Sequence, residues 1–128
     1  MENIKSYKDL NVWQKAVELV KEIYLLTKEF PKDEQFTLIN QMRRSAISIP
    51  SNISEGKVRG HRREYVQFLY VALGSCAELE TQIIISKELS YITTETKDLL
   101  LEKIGYISRM LRNLIKGINN YKPTTQNL

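Results

Sequence analysis

The chain has 128 residues and a formal net charge of +4, enough length for one domain, spanning 1–128, that buries about two thirds of its unfolded surface without metal or disulfide. Its single cysteine, Cys76, has no internal partner, and Met1, Glu2 and Asn3 lack the cationic and apolar regions of a signal peptide, so a reducing cytoplasm is the expected compartment. Apolar runs such as Ile83 to Ile85 are three residues long, against the ~18 a membrane span needs, so no membrane association is expected.

In chain order, four helical rhythms follow one another, and no repeat, long linker or strand pattern competes with them. The first is expected over about 9–28, with one apolar row at Leu10, Trp13, Val17, Val20, Tyr24 and Thr27 and a second at Val12, Ala16, Leu19, Ile23, Leu26 and Phe30. Phe30-Pro31 ends it, because a residue before proline avoids the helical region. Pro31, Asp33 and Glu34 then open a second helix over about 33–55, whose row is Ile39, Met42, Ala46, Ile49 and Ile53 and whose expected stop is Glu55-Gly56. Pro50 lies inside that row, so a kink is expected there, the rhythm continuing beyond it.

After a turn at Lys57 to His61, the third helix, about 62–89, repeats Tyr65, Leu69, Ala72, Cys76, Leu79 and Ile83. Its small residues Ala72, Gly74, Ser75, Cys76 and Ala77 suit close approach of neighbouring backbones. The fourth, about 94–121, repeats Leu100, Ile104, Ile107, Leu111, Leu114, Ile118 and Tyr121, and a flexible tail is expected over 122–128. The fold class is therefore all-α: an antiparallel up-down-up-down four-helix bundle, the second helix kinked at Pro50.

Charge is unevenly laid out. Residues 41 to 66 hold Arg43, Arg44, Lys57, Arg59, Arg62 and Arg63 against Glu55 and Glu64, and residues 104 to 128 hold Arg109, Arg112, Lys116 and Lys122 with no acid. The second cluster complements the carboxyl end of a helix dipole; the first has no such simple explanation.

Catalytic chemistry finds little support, and the chain reads as no enzyme. His61 is the one histidine, in a cation-rich turn with no neighbouring ligand, so no metal and no cofactor are expected. The Glu-x-x-His pairs of di-iron bundles are missing, and Cys76 lies on an apolar row. "EGKVRG" lacks the first glycine and the final Ser/Thr of a phosphate loop, and "NIS" at Asn52 falls inside an expected helix.

Two binding readings remain. Gln41, Arg44, Ser48, Ser51, Asn52 and Glu55 fall on the outward side of the second helix, a seam of short polar side chains where a free surface usually carries Lys and Glu. With the apolar flank at Val66, Leu73, Ala77 and Ile84, this points to a homo-oligomer interface built from Gln41, Ser48, Asn52, Glu55, Val66, Leu73 and Ile84. Arg43, Arg44, Lys57, Arg59, Arg62 and Arg63 are the candidate contacts for nucleic-acid phosphates, nonspecific in sequence and multiplied by assembly. Tyr65 and Tyr70 stand beside them as candidate stacking planes, although Tyr65 belongs to the core row. The alternative is a purely structural or protein-binding module in which Arg43 and Arg44 pair with Glu55 or Glu78 of a neighbouring helix or subunit.

The segments "YKDLNVWQKAVELV", "FPKDEQFTLINQMRRSAISIPSNISEG", "EYVQFLYVALGSCAELETQIIIS" and "MLRNLIKGI" together resemble the small bacterial four-helix bundle family named after proteins encoded in intervening sequences of 23S ribosomal RNA genes. The resemblance runs from Tyr7 to about Ile118, with Ser54 where many members carry Ala. It implies a left-handed bundle assembled into a ring of five subunits, and a relationship to the accessory proteins of diversity-generating retroelements, which bind nucleic acid and a reverse transcriptase. Its signature positions are Gln41, Arg43, Arg44, Ser48, Pro50, Asn52, Glu55 and Gly56, and the resemblance leaves open whether they serve a ligand or a subunit contact.

Overall fold

The structure, a computed structural model, describes residues 6–122. All regular structure among them is helical: α1 (Asn11–Thr27), α2 (Asn40–Arg59), α3 (Arg62–Glu88) and α4 (Thr94–Asn120). The expected tail lies outside the described residues except for Lys122.

Each boundary has a local cause. A single 3-10 turn, Tyr7–Asp9, precedes α1 and is closed at both ends: the Ser6 hydroxyl accepts from the Lys8 N–H at 3.1 Å, and the Asp9 carboxylate accepts from the Ser6 N–H at 3.1 Å. Between α1 and α2 the chain winds first tightly, Lys32–Glu34, then loosely in a π turn, Gln35–Ile39, so regular α geometry begins at Asn40 rather than near 33. α2 also ends later than Glu55-Gly56. It runs through Gly56 to Arg59 and stops at Gly60, whose φ of 75° is the left-handed conformation that glycine adopts without a Cβ penalty. Pro50 is buried inside α2, and helix continues on both sides of it.

α3 ends in a Schellman closure, with Tyr91 N–H bonded to the Ser86 carbonyl and Ser90 N–H to that of Lys87, both at 2.9 Å. Ser90 occupies the left-handed position there, φ 64°. Thr93 then caps α4 through its hydroxyl, which accepts from the Thr96 N–H at 3.1 Å.

The helices pack in cyclic order, α1 on α2, α2 on α3, α3 on α4 and α4 on α1, with the largest contact between α2 and α3. One core results. α1 contributes Val12, Ala16, Leu19 and Ile23; α2 Met42, Ala46, Ile49 and Ile53; α3 Leu69, Ala72, Cys76, Leu79 and Ile83; and α4 Leu100, Ile104, Ile107, Leu111 and Ile115. The two apolar rows of α1 thus have different fates, since Val17 of the other row is 41% exposed. The small-residue run of α3 divides as well: Ala72, Ser75 and Cys76 face inward, while Gly74 and Ala77 are exposed and a Cβ at Gly74 would meet nothing within 4 Å.

α3 is the one described helix with the length and apolar content of a membrane span, a property invisible in runs of three because its apolar residues are interspersed with small ones. Leu69, Leu79 and Ile83 of this helix are nonetheless fully buried in the bundle core.

Candidate nucleic-acid interface

Bundle topology brings part of each basic cluster of the sequence to one end. Only Gly60 and His61 separate α2 from α3, so the last turn of α2 and the first turn of α3 are neighbours. α4 finishes at the same end: Arg62 Nη1 donates to the Tyr121 carbonyl at 2.7 Å, and the Arg62 guanidinium lies over the Tyr121 ring at 5.2 Å. Lys57, Arg62 and Arg63 therefore line the same α3–α4 seam as Arg112 and Lys116, in adjoining hollows.

Three hollows run along the seam between the first half of α3 and the last half of α4. The first, about 460 Å³, holds Lys57, His61, Arg62, Tyr65, Asn113 and Tyr121. The second, about 640 Å³, shares Arg62 and Tyr121 with it and adds Arg63, Gln67, Tyr70 and Asn119. Tyr70 and Asn119 pass into the third, about 350 Å³, which adds Arg112 and Lys116. Among the described residues no aspartate or glutamate lines any of the three. Elsewhere the surface is different. The α1–α4 hollow mixes Glu18, Glu22 and Glu102 with Lys15, Lys103 and Arg109, and the hollow between the start of α2 and the end of α3 carries Glu34 and Glu78 with no cation.

The cations differ in how they are held. Arg63 is exposed. Lys57 sits 5.7 Å from the centre of the Tyr65 ring. The Tyr65 hydroxyl is itself buried without a hydrogen-bond partner, and burial pushes its pKa up to about 12. Arg59 is the most neutralised, forking onto Glu55 Oε1 at 2.8 and 3.2 Å, facing Glu64 at 3.7 Å and covering the Phe68 ring at 5.2 Å. The Glu55 hydrogen bond is the main reason its pKa is raised.

Arg43 and Arg44 are elsewhere. Arg44 is exposed on α2, thirteen residues before Lys57 and so about 20 Å along the helix. Arg43 is half-buried in the α1–α2 seam, where its Nε donates to Thr27 Oγ1 at 2.9 Å and its guanidinium covers the Tyr24 ring at 4.4 Å.

The expected outward seam of α2 is only partly outward. Ser48 and Asn52 lie against α3: Ser75 Oγ donates to Ser48 Oγ at 2.7 Å, and Asn52 Nδ2 donates to the same oxygen at 2.9 Å and to the Ser48 carbonyl at 2.8 Å. The rotation of α2 needed to bury Met42, Ile49 and Ile53 turns these side chains into the interhelical groove. Leu73 belongs to the core, and Val66 is half-buried against it. Gln41, Glu55 and Ile84 are exposed, Ile84 by 45%.

No group of three or more His, Cys, Asp or Glu side chains among the described residues is placed to hold a metal ion. Cys76 is buried, and desolvation pushes its thiol up to about 11, which suppresses the reactive thiolate.

A family model described as 23S rRNA-intervening sequence protein matches residues 8–113. The chain belongs to that family. Among curated proteins, none matches. The 23S rRNA-intervening sequence protein fold recurs in the crystal structure of a protein of unknown function from the S23 ribosomal protein family of Bacteroides thetaiotaomicron, with a TM-score of 0.76 and 27% identity over 82% of this chain and 98% of that one. Part of the groove, Lys116 and Asn119 to Tyr121, lies beyond the span that matches the family.

Arg112, Lys116, Asn119 and Tyr121 are groove residues that sequence reasoning passed over, the two cations having been assigned to the helix dipole. The signal was present in the topology: in an antiparallel bundle the end of α4 must lie beside the start of α3.

Proposed function

We propose that this 23S rRNA-intervening sequence protein is a non-enzymatic, oligomeric, cytoplasmic bundle that binds RNA or DNA through the basic groove at its α3–α4 end. The observation that carries the reading is that cations from two clusters distant in sequence line adjoining hollows of one seam, where no acid is found among the described residues. Guanidinium and ammonium groups without competing carboxylates suit phosphate oxygens, and each phosphate neutralised releases counterions. Assembly multiplies the effect, and a homo-oligomer, a pentamer by family resemblance, finds support in exposed apolar side chains, Phe36 at 86% and Leu89 at 49%. A place beside a nucleic-acid enzyme such as a reverse transcriptase rests on the resemblance alone.

The test is a salt series on single-stranded RNA with the native protein and an Arg63→Glu/Lys116→Glu variant. Log affinity should fall with log salt, with a slope of about −0.7 for each phosphate contacted, and the variant should lose most of the binding while keeping its assembled mass. No binding at low salt would sink the reading.

The pairing of Arg43 and Arg59 inside the chain favours a second reading for some of the arginines. Those two hold helices together, and Arg44 serves a subunit or protein contact. Arg44→Glu would then change the mass measured by light scattering and leave the salt slope alone.

A further inference from the structure

We infer that the α3–α4 groove takes a single strand of nucleic acid, with bases laid on Tyr70 and Tyr121, and not a duplex; this rests on the nucleic-acid reading above and specifies its ligand. Tyr70 and Tyr121 are 54% and 55% exposed, yet both line the middle hollow beside Arg62 and Arg63. Large aromatic side chains kept half in water at the rim of a cationic hollow bury too little surface to serve the core. They do offer flat faces to bases, which every nucleotide can use regardless of sequence.

One face of the Tyr121 ring is covered before any ligand arrives, so a base takes the other. Arg62 covers the first face at 5.2 Å and is itself tied to the Tyr121 carbonyl at 2.7 Å, so less side-chain freedom is lost on stacking. Arg62 is thereby a positioning residue, and Arg63, Arg112 and Lys116 are the groups for phosphates. Eight residues of α3 separate Arg62 from Tyr70, about 12 Å of helix, which matches about three to four stacked nucleotides at roughly 3.4 Å each.

Shape favours a strand over a duplex. The groove is a seam between two packed helices whose axes are about 8–10 Å apart. It is concave, so it admits a strand and cannot itself enter a duplex groove. In a duplex the base faces are stacked on one another and unavailable to a tyrosine. Neutral side chains at the seam, Gln67, Asn113 and Asn119, accommodate base edges without imposing a charge.

Fluorescence anisotropy at low salt, with a short mixed-sequence oligonucleotide as single-stranded RNA, as single-stranded DNA and as the DNA duplex, tests the inference on the native assembly. Both single strands should bind more tightly than the duplex. Tyr70→Ala, at an exposed position that leaves the fold intact, should weaken single-strand binding about 5- to 150-fold with an unchanged salt slope, and Tyr70→Phe should restore it. Arg112→Glu/Lys116→Glu should instead flatten the slope by about 1.4. Equal or tighter duplex binding, or a Tyr70→Ala protein indistinguishable from wild type on single strands, overturns the single-strand inference and leaves the nucleic-acid reading standing. Failure of the wild type to bind any of the three probes overturns both.

Discussion

The guanidinium of Arg43 lies 4.4 Å from the centre of the Tyr24 ring, and its Nε reaches the buried Thr27 hydroxyl at 2.9 Å. Thr27 Oγ1 in turn donates to the Ile23 carbonyl at 2.7 Å, so one oxygen accepts from α2 and donates within α1. An arginine that stacks with its plane and donates from its fork cannot be replaced by a lysine. Arg43→Ala should destabilise the fold by about 1–3 kcal/mol, from the lost cation–π contact and a buried hydroxyl left without its donor. Arg43→Lys should recover only a small part. Urea unfolding of the two variants measures the effect, and the salt slope for nucleic acid should be the same in both as in the wild type.

Three glycines should respond differently to alanine. At Gly56 an added Cβ would come 2.8 Å from Phe68 Cβ and 3.1 Å from Tyr65 Cδ1, inside the α2–α3 contact, so the helices must separate at a cost of about 1–3 kcal/mol. Gly60→Ala meets no crowding but forces φ 75° on a residue with a Cβ, costing about 1–2 kcal/mol. Gly74, exposed in α3 with open space around it, gains from the same change by about 0.5–1 kcal/mol, because alanine loses less backbone entropy in a helix. Melting temperatures ordered Gly74→Ala, wild type, Gly60→Ala and Gly56→Ala, with the last two close together, are the expected result.

The Tyr65 hydroxyl gives a pH dependence with a definite sign. Burial lifts its pKa from 10.0 to about 12, so between those values the unfolded chain is ionised and the folded one is not. The folded state then holds the more protons, its contribution is complete below pH 10, and it is lost as pH rises towards 12. Tyr65→Phe removes this group and also a buried hydroxyl without a partner. The variant should be as stable as wild type or more so near neutrality, by up to about 1–3 kcal/mol. Its loss of stability from pH 10 to 12 should be shallower, read from thermal melts across that range.

How much of this was legible in the sequence depends on the kind of information. Core rows such as Leu69, Ala72, Cys76, Leu79 and Ile83 follow from a 3.6-residue period, which any amphipathic helix displays, and they are buried in the structure. The end of α2 was misplaced because glycine has two uses. Gly56 serves close packing and Gly60 serves the left-handed turn, and only the position of Phe68 on the neighbouring helix tells them apart. Two positions on the polar face of α2, Ser48 and Asn52, turn into the interhelical groove for a related reason. Short side chains such as Ser48 and Asn52 suit an exposed contact surface and an interhelical groove equally, and the Ser75 partner lies 27 residues away. The groove itself was hidden because Arg63 of α3 and Lys116 of α4 come to line one seam, in adjoining hollows, only through the bundle's topology.

Phe36 carries the last prediction. It is 86% exposed in the turn before α2, beside the exposed Ile85 and Leu89 at the end of α3 and the candidate interface residue Gln41. A phenylalanine so exposed contributes almost nothing to the stability of a lone protomer, and contiguous apolar surface of this kind marks a contact with another molecule. If that molecule is a second copy, Phe36→Asp should leave the helical content and the melting of the protomer core nearly unchanged while shifting the assembly toward single chains. Light scattering across a hundredfold dilution reads the outcome: the wild type should hold a multiple of 15.0 kDa where the variant falls toward that mass. Nucleic-acid affinity should fall with it, since separated protomers present one groove at a time and forfeit the gain from several grooves acting on one strand. A wild type that already runs as a single chain, or a variant that assembles as before, would remove Phe36 from the interface.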